Sequence, residues 1–225
     1  MRRAWVGTWL VGLSIAAVYQ PQAEALLLIN EVLADPSAVS GDANGDGVIS
    51  TAQDEFVELI NTEQDPVSLA QWTLADLVQV RHVFAEQAVI PGGGLFVVFG
   101  GGRPQGIANT VIASTGTLSL NNSGDTVTLR DATTRLIDSL VYGPEGGKDV
   151  SLTRSPDATG SFILHSTANG QPFSPGRTLD GRSQLSFTTV GLPLSRSSPV
   201  VPEPGSLFLS GLGALSLTRR RRQPI

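Results

Sequence analysis

The sequence predicts an all-β fold, either an antiparallel β-sandwich or a partly closed barrel. Short apolar runs alternate with Gly, Pro, Asn and Asp clusters from Leu26 to about Arg177. No stretch of this region keeps a 3.6-residue apolar period over about 12 residues without a breaker. The chain holds 25 Gly and 14 Pro among 225 residues, which supplies many turns. The region is long enough to bury a core between two layers.

The strand candidates are short runs rich in Val, Ile, Leu or aromatic residues, each bounded by turn residues. The clearest are Leu26–Leu33, Glu55–Ile60, Trp72–Leu74, Gln79–Phe84, Leu95–Phe99, Thr126–Arg130 and Leu136–Tyr142. Alternation along a strand puts Trp72 and Leu74 on one face, which predicts a buried pair. Leu95–Phe99 is apolar throughout, which predicts a strand covered on both faces.

Composition excludes several kinds of chemistry. The chain has no Cys, so disulfides, Cys zinc sites, iron–sulfur clusters and thiol catalysis are impossible. Without the two end segments described below, 9 basic and 18 acidic residues remain, a net charge of −9. So acidic a body repels phosphate backbones, which makes nucleic acid an improbable partner.

Residues 1–25 have the pattern of a secretory signal peptide. Arg2 and Arg3 form the positive start, and residues 4–18 carry no charge. Ala23-Glu24-Ala25 gives the small residues that a signal peptidase recognises. The alternative is an N-terminal anchor, but the apolar run is shorter than the ~20 residues of a spanning helix.

The C-terminal end carries a second three-part pattern. Pro202-Glu203-Pro204 precedes an uncharged run, residues 205–217, and then the basic cluster Arg219–Arg222. This order resembles the PEP-CTERM protein-sorting signal, which implies processing by exosortase, a membrane protease, and delivery to the surface or extracellular matrix. The run is too short for a stable anchor in a ~30 Å hydrocarbon core, which favours transient membrane association over a permanent tail anchor. Residues 178–200, rich in Ser, Leu, Pro and Gly, are predicted to be a flexible spacer.

Several motifs between Leu26 and Arg177 occur in the order seen in one family. They are Ile29-Asn30-Glu31-Val32, Asp54 to Asn61, Trp72 to Asp76, Pro91-Gly92-Gly93, Leu120 to Asp125, Ile137 to Tyr142 and Ser174-Pro175-Gly176. Together they resemble a lamin-tail domain. The resemblance implies an immunoglobulin-like antiparallel β-sandwich over residues 26–177 that serves as an accessory interaction module without chemistry of its own.

The strongest chemical signal is the loop at residues 42–55. Asp42, Asn44 and Asp46 place oxygen-bearing side chains at alternate positions, followed by Gly47. Calcium requires six to eight hard oxygens, and such a loop supplies them, with the Val48 carbonyl and Ser50 as further ligands. The segment resembles an EF-hand or dockerin-type calcium loop, and Ile49 is expected to anchor it to the core.

The loop departs from that pattern at position 12, where Gln53 replaces the usual carboxylate. Asp54 and Glu55 follow at once, so either is a candidate for the last ligand. The alternative interpretation is a solvated turn without metal. Extracellular calcium is plentiful, so even a weak site of ~10⁻⁴–10⁻³ M would be occupied there.

The sequence offers no arrangement typical of an enzyme. His82 and His165 are the only histidines and lie in no metal or catalytic motif. His82 is expected to be exposed or at the edge of the core. Gly100-Gly101-Gly102-Arg103 lacks the rest of a phosphate loop and is interpreted as a mobile turn.

The leading hypothesis is therefore an exported, non-enzymatic interaction or adhesion module, stabilised by calcium. Its ligand would be a surface protein or polysaccharide, and signal peptidase and an exosortase would act on it during export. One alternative is a structural component of exopolysaccharide or biofilm matrix. Another is an accessory module of a calcium-dependent extracellular hydrolase.

Overall fold

A computed structural model describes residues 27–186, which form twelve β-strands and one short helix. The strands are β1 (Leu27–Leu33), β2 (Phe56–Asn61), β3 (Val67–Ser68), β4 (Thr73–Ala75), β5 (Val80–Val83), β6 (Val89–Ile90), β7 (Leu95–Phe99), β8 (Thr110–Ile112), β9 (Asp125–Arg130), β10 (Leu136–Tyr142), β11 (Leu152–Ser155) and β12 (Ser161–Leu164). A 3₁₀ turn at Pro144–Gly146 follows β10, and helix α1 (His165–Asn169) follows β12.

The strands form two sheets that pack face to face. The larger has six strands in the order β12-β11-β1-β2-β7-β8, and the smaller has four in the order β10-β9-β4-β5. A two-stranded ribbon, β3-β6, lies beside them. The pairings are antiparallel except that between β7 and β8, which is parallel. The predicted all-β sandwich is confirmed, and each of the seven predicted strands is present.

The core between the sheets follows from alternation along the strands. Val57, Leu59 and Val98 from the larger sheet meet Leu74 and Leu129 from the smaller. Leu74 is fully buried, as predicted, whereas Trp72, which was predicted to be buried with it, is only half-buried against this core.

The larger sheet is also covered on its other face, which explains the uninterrupted apolar sequence of β7. There Phe56, Val97 and Phe99 pack against Ile107 and Phe173. All five residues of β7 are buried, as predicted.

The predicted spacer begins too early, because residues 178–186 lie on the folded body. Thr178 is buried, and the Leu185 N–H donates to the Gly93 carbonyl at 2.8 Å. The Leu185 side chain packs beside Ile60 and Leu95. The contacts of Thr178 and Leu185 therefore place residues 178–186 in the folded body.

The remaining end predictions lie outside the described residues. These are the signal peptide at 1–25, the rest of the spacer to residue 200, and the sorting signal with its apolar run at 205–217. Within residues 27–186, no helix has the length and apolar character needed to cross a membrane.

Candidate functional site

The loop predicted to bind calcium connects β1 to β2 and curls around its own backbone. The Asp42 Oδ2 accepts the Gly47 N–H at 3.0 Å, and the Asn44 Oδ1 accepts the Asp46 N–H at 3.0 Å. The Asp46 Oδ1 accepts the Val48 N–H at 2.8 Å. Gly47 has a φ of 84°, which a Cβ would disfavour. The side chains at alternate positions thus accept amides of the loop itself, and their role as calcium ligands stays a prediction.

Asp54 closes this loop from its C-terminal end. Its carboxylate is buried and accepts the Asn44 N–H at 3.0 Å and the Ser50 N–H at 2.8 Å. The pKa of Asp54 is raised above its usual value, mainly by burial. Hydrogen bonds from the loop amides offset part of this rise, and the charge of Asp42 adds to it. Of the two candidates for the last ligand, Asp54 is the one that reaches the loop.

Glu55 does not join the loop, contrary to the expectation that it could complete the ligand shell. Its Oε2 is instead buried without a hydrogen-bond partner. Burial raises the pKa of Glu55 to about 8. The backbone of Ser119 and Leu120 and the Arg81 charge lower its pKa, and the Asp125 charge raises it. Glu55 immediately precedes β2, and adjacent side chains of an extended chain point to opposite sides, which separates Glu55 from Asp54.

The apex of the loop is more exposed than predicted. Ile49, expected to anchor the loop to the core, is 43% exposed, and Val48 is 57% exposed. The Ser50 Oγ accepts the Gln53 N–H at 3.2 Å. The Asp54 carboxylate, rather than an apolar side chain, therefore fixes the loop.

A second loop, residues 100–105 after β7, packs against the first. The Arg103 N–H donates to the Asp46 Oδ2 at 2.8 Å, and the Gln105 N–H donates to the Asn44 carbonyl at 2.8 Å. At Gly102, with a φ of 78°, a Cβ would lie 2.7 Å from the Asp46 Oδ2. The segment interpreted as a mobile turn is a packing partner of the loop, and its Gly run was the only sequence signal of that contact.

Two features of the loop favour binding of a cation, and a third restricts which atoms could act as its ligands. The Asp42 Oδ1 is buried without a hydrogen-bond partner, and Asp42 and Asp54 are like charges close together. Both features are costly unless a positive charge compensates them. Within residues 27–186, however, no group of three His, Asp or Glu side chains is placed to hold a metal. A cation here would need the Asn44 amide and backbone carbonyls beside the carboxylates.

A second polar cluster lies at the centre of the larger sheet, on the face away from the inter-sheet core. A β-bulge in β1 between Ile29 and Glu31 turns both Asn30 and Glu31 to this face. Glu31 pairs in register with Glu58 of β2, and all three side chains are at most 1% exposed. The pairing of β1 with β2 therefore brings together two of the sequence motifs, Ile29-Asn30-Glu31-Val32 and Asp54 to Asn61.

The chain after β10 supplies the hydrogen bonds that these carboxylates need. Glu31 accepts from the Ser151 Oγ at 2.6 Å and from the Ser174 N–H at 2.9 Å. Glu58 accepts from the Asn30 Nδ2 at 3.0 Å and from the Gly176 N–H at 2.7 Å. The Ser174-Pro175-Gly176 motif thus binds directly to the two motifs nearest the start of the fold.

His165, at the start of α1, reinforces the same cluster. Its Nδ1 lies 2.9 Å from the Gln171 carbonyl, and its Nε2 lies 2.8 Å from the Ser174 Oγ. The Ser174 Oγ is also 3.1 Å from the Glu31 Oε2. His165 and Glu31 are fully buried, so the trio attaches the 165–176 segment to the sheet.

Burial governs the ionisation of this cluster. It raises the pKa of Glu31, which the His165 charge and the hydrogen bonds from Ser151 and Ser174 partly offset. It raises the pKa of Glu58 well above the usual range, and the adjacent Glu31 charge raises it further. Folding therefore shifts both carboxyls towards their protonated forms.

Two family comparisons match this chain. Residues 20–144, more than half of it, match the Lamin Tail Domain family. Residues 200–222 match the PEP-CTERM protein-sorting motif. No curated protein matches it. The first match includes the loop and the Asn30, Glu31 and Glu58 side chains, whereas Ser151, His165 and Ser174 lie beyond it.

We predict that Glu31 and Glu58 make a contribution to the free energy of unfolding that falls as the pH rises from 5 to 8. Buried His82, whose pKa is lowered to about 4, contributes in the opposite direction below about pH 6.5, so the comparison of variants carries the test. The two glutamates titrate near 4.5 when unfolded and at higher pH when folded, so the unfolded chain releases their protons first. Glu58→Gln removes one of these titrating groups and should make the decline shallower than in the wild type. Urea unfolding across this pH range, with chelator present, measures the effect.

Exposed Glu86 is the matched control, and Glu86→Gln should leave the wild-type slope unchanged. An equal slope in wild type and Glu58→Gln would show that Glu58 is ionised without cost in the folded protein.

Proposed function

The chain belongs to the lamin tail domain family, and we propose that it works as a non-enzymatic interaction module at the bacterial surface or in extracellular matrix. The observation that carries the proposal is the joining of this domain to a PEP-CTERM motif in one chain. The motif is that of an exported protein sorted by an exosortase-type system. The domain is then the part that remains to act outside the cell.

The interior of the sandwich supports a binding role over a catalytic one. His82 is 6% exposed, and burial lowers its pKa to about 4. His165 is fully occupied by the Gln171 carbonyl and Ser174. Both imidazoles are thus held within the fold, and the proposed role of the surface is to recognise a surface protein or polysaccharide.

A structural role in the extracellular polymer is the alternative, and saturable binding separates the two. The exported protein should bind isolated cell envelopes with a plateau, and unlabelled protein should displace it. Bound protein that increases linearly with added protein, and that unlabelled protein does not displace, would favour a structural component trapped non-specifically in the matrix.

We also propose that calcium binds the loop at residues 42–54 and stiffens it against residues 100–105. The uncompensated Asp42 Oδ1 and the Asp42–Asp54 charge pair support this. Asp42, Asn44, Asp46 and the Val48 carbonyl would hold the ion, with Ser50 and Asp54 positioned at the loop end. Calcium would supply the positive charge that relieves the repulsion between these carboxylates.

Millimolar calcium is predicted to raise the melting temperature of the wild-type protein relative to chelator. Binding only to the folded state stabilises it by about 1–3 kcal/mol when calcium exceeds the dissociation constant ten- to a hundredfold. Asp46→Ala should abolish the calcium-induced shift, whereas Glu86→Ala should retain it. A melting temperature independent of calcium in the wild type would contradict the proposal.

The sorting motif gives a prediction that intact-mass spectrometry can check. Replacing Pro202, Glu203 and Pro204 with Ala should prevent processing, so the isolated chain should retain residues 205–225. Wild-type protein from the same cells should lack them. Identical C-terminal ends in the two proteins would show that the motif does not direct cleavage.

A further inference from the structure

One side of the sandwich has an open groove between the edges of its two sheets. It is bounded by β8 on one side and by residues 83–89, at the end of β5 and the start of β6, on the other. Phe84 and Phe96 lie on its inner side, and its volume is about 630 Å³. The surface of the groove is mainly apolar, and Val83, Val89 and Ile112 are each more than 40% exposed.

The backbone of β8 gives this groove a specific chemistry. β8 is the last strand of the larger sheet and pairs only with β7 in the part of the chain that the structure describes. The Val97 N–H donates to the Asn109 carbonyl, and the Ala113 N–H donates to the Phe99 carbonyl. In a parallel pair with this register, alternate residues point away from the partner. The N–H and C=O groups of Thr110 and Ile112 therefore face outward, along the groove.

The charge of the groove differs from that of the body. Residues 27–186 carry 18 acidic and 8 basic side chains. None of the described side chains that line the groove has a formal charge near neutral pH, because buried His82 stays neutral. An acidic body with one uncharged groove selects an uncharged occupant, since a charged one would lose solvation there without gaining a counter-ion.

We propose that this groove binds an extended, uncharged peptide strand of a partner protein, which adds to the sheet beside β8. The outward N–H and C=O groups of Thr110 and Ile112 would pair with its backbone, and its alternate side chains would enter the apolar groove. The inference deepens the proposed interaction module, on which it rests, by assigning a binding face and a class of partner.

The charge of the body disfavours a second copy of this chain as the occupant. Each copy would bring the same excess of acidic residues, so the two bodies would repel each other.

The test uses the exported protein and the capped peptide acetyl-Thr-Val-Thr-Val-Thr-amide. The peptide should slow amide hydrogen exchange at Thr110 and Ile112 and bind saturably. The same peptide methylated at every backbone nitrogen keeps the side chains but cannot pair with a strand. It should bind at least about tenfold more weakly, because each hydrogen bond lost contributes about 1 kcal/mol.

Ile112→Glu puts a charge into the groove and should weaken binding of the peptide about tenfold. Val141→Glu, at a 72% exposed site in the other sheet, is the matched control and should bind as wild type does. Equal melting temperatures would confirm that both variants fold.

Equal binding of the methylated and unmethylated peptides would overturn the proposal, as would unchanged exchange at Thr110 and Ile112. Protection of these amides that depends on protein concentration alone would overturn it in favour of a second copy. Saturable binding to envelopes that survives Ile112→Glu would overturn the groove assignment while leaving the proposed interaction module intact.

Discussion

The fold depends on two carboxylates buried side by side in the larger sheet. Glu31 and Glu58 are cross-strand partners, and within residues 27–186 no Arg or Lys donates a hydrogen bond to either of them. Two like charges side by side oppose ionisation. Hydrogen bonds from Ser151, Ser174 and Gly176 make their burial tolerable. The chain after β10 must therefore cover this face, which determines how the second half of the fold is placed.

The loop between β1 and β2 uses the same physical solution on a smaller scale. One buried carboxylate, Asp54, accepts the amides of Asn44 and Ser50. The loop after β7 can pack closely against this loop because it has a glycine, Gly102, beside Asp46. In both places, hydrogen bonds from backbone N–H groups offset the free-energy cost of burying a carboxylate. A body that is acidic throughout can fold because most of its buried acids accept backbone hydrogen bonds.

Much of the architecture was predictable because strand alternation and turn residues are local signals. The seven longer apolar runs became strands. Short strands such as β8 and β12, and the packing of Leu185, depend on distant contacts with no local pattern. In the loop, the side chains of Asp42, Asn44 and Asp46 accept loop amides, and their role as metal ligands stays a prediction. The separation of Asp54 from Glu55 required knowledge of where β2 begins, and the role of Ser174 required the three-dimensional pairing with Glu31.

The pairing of Glu31 and Glu58 with residues near the end of the body also has a consequence for export. A chain that crosses a membrane from its N-terminus presents β1 and β2 long before residues 174–176 emerge. Until then Glu31 and Glu58 lack the amide partners that Ser174 and Gly176 provide, so burial of the two carboxyls in the central sheet is unfavourable. Almost the whole body must therefore be available before folding becomes favourable.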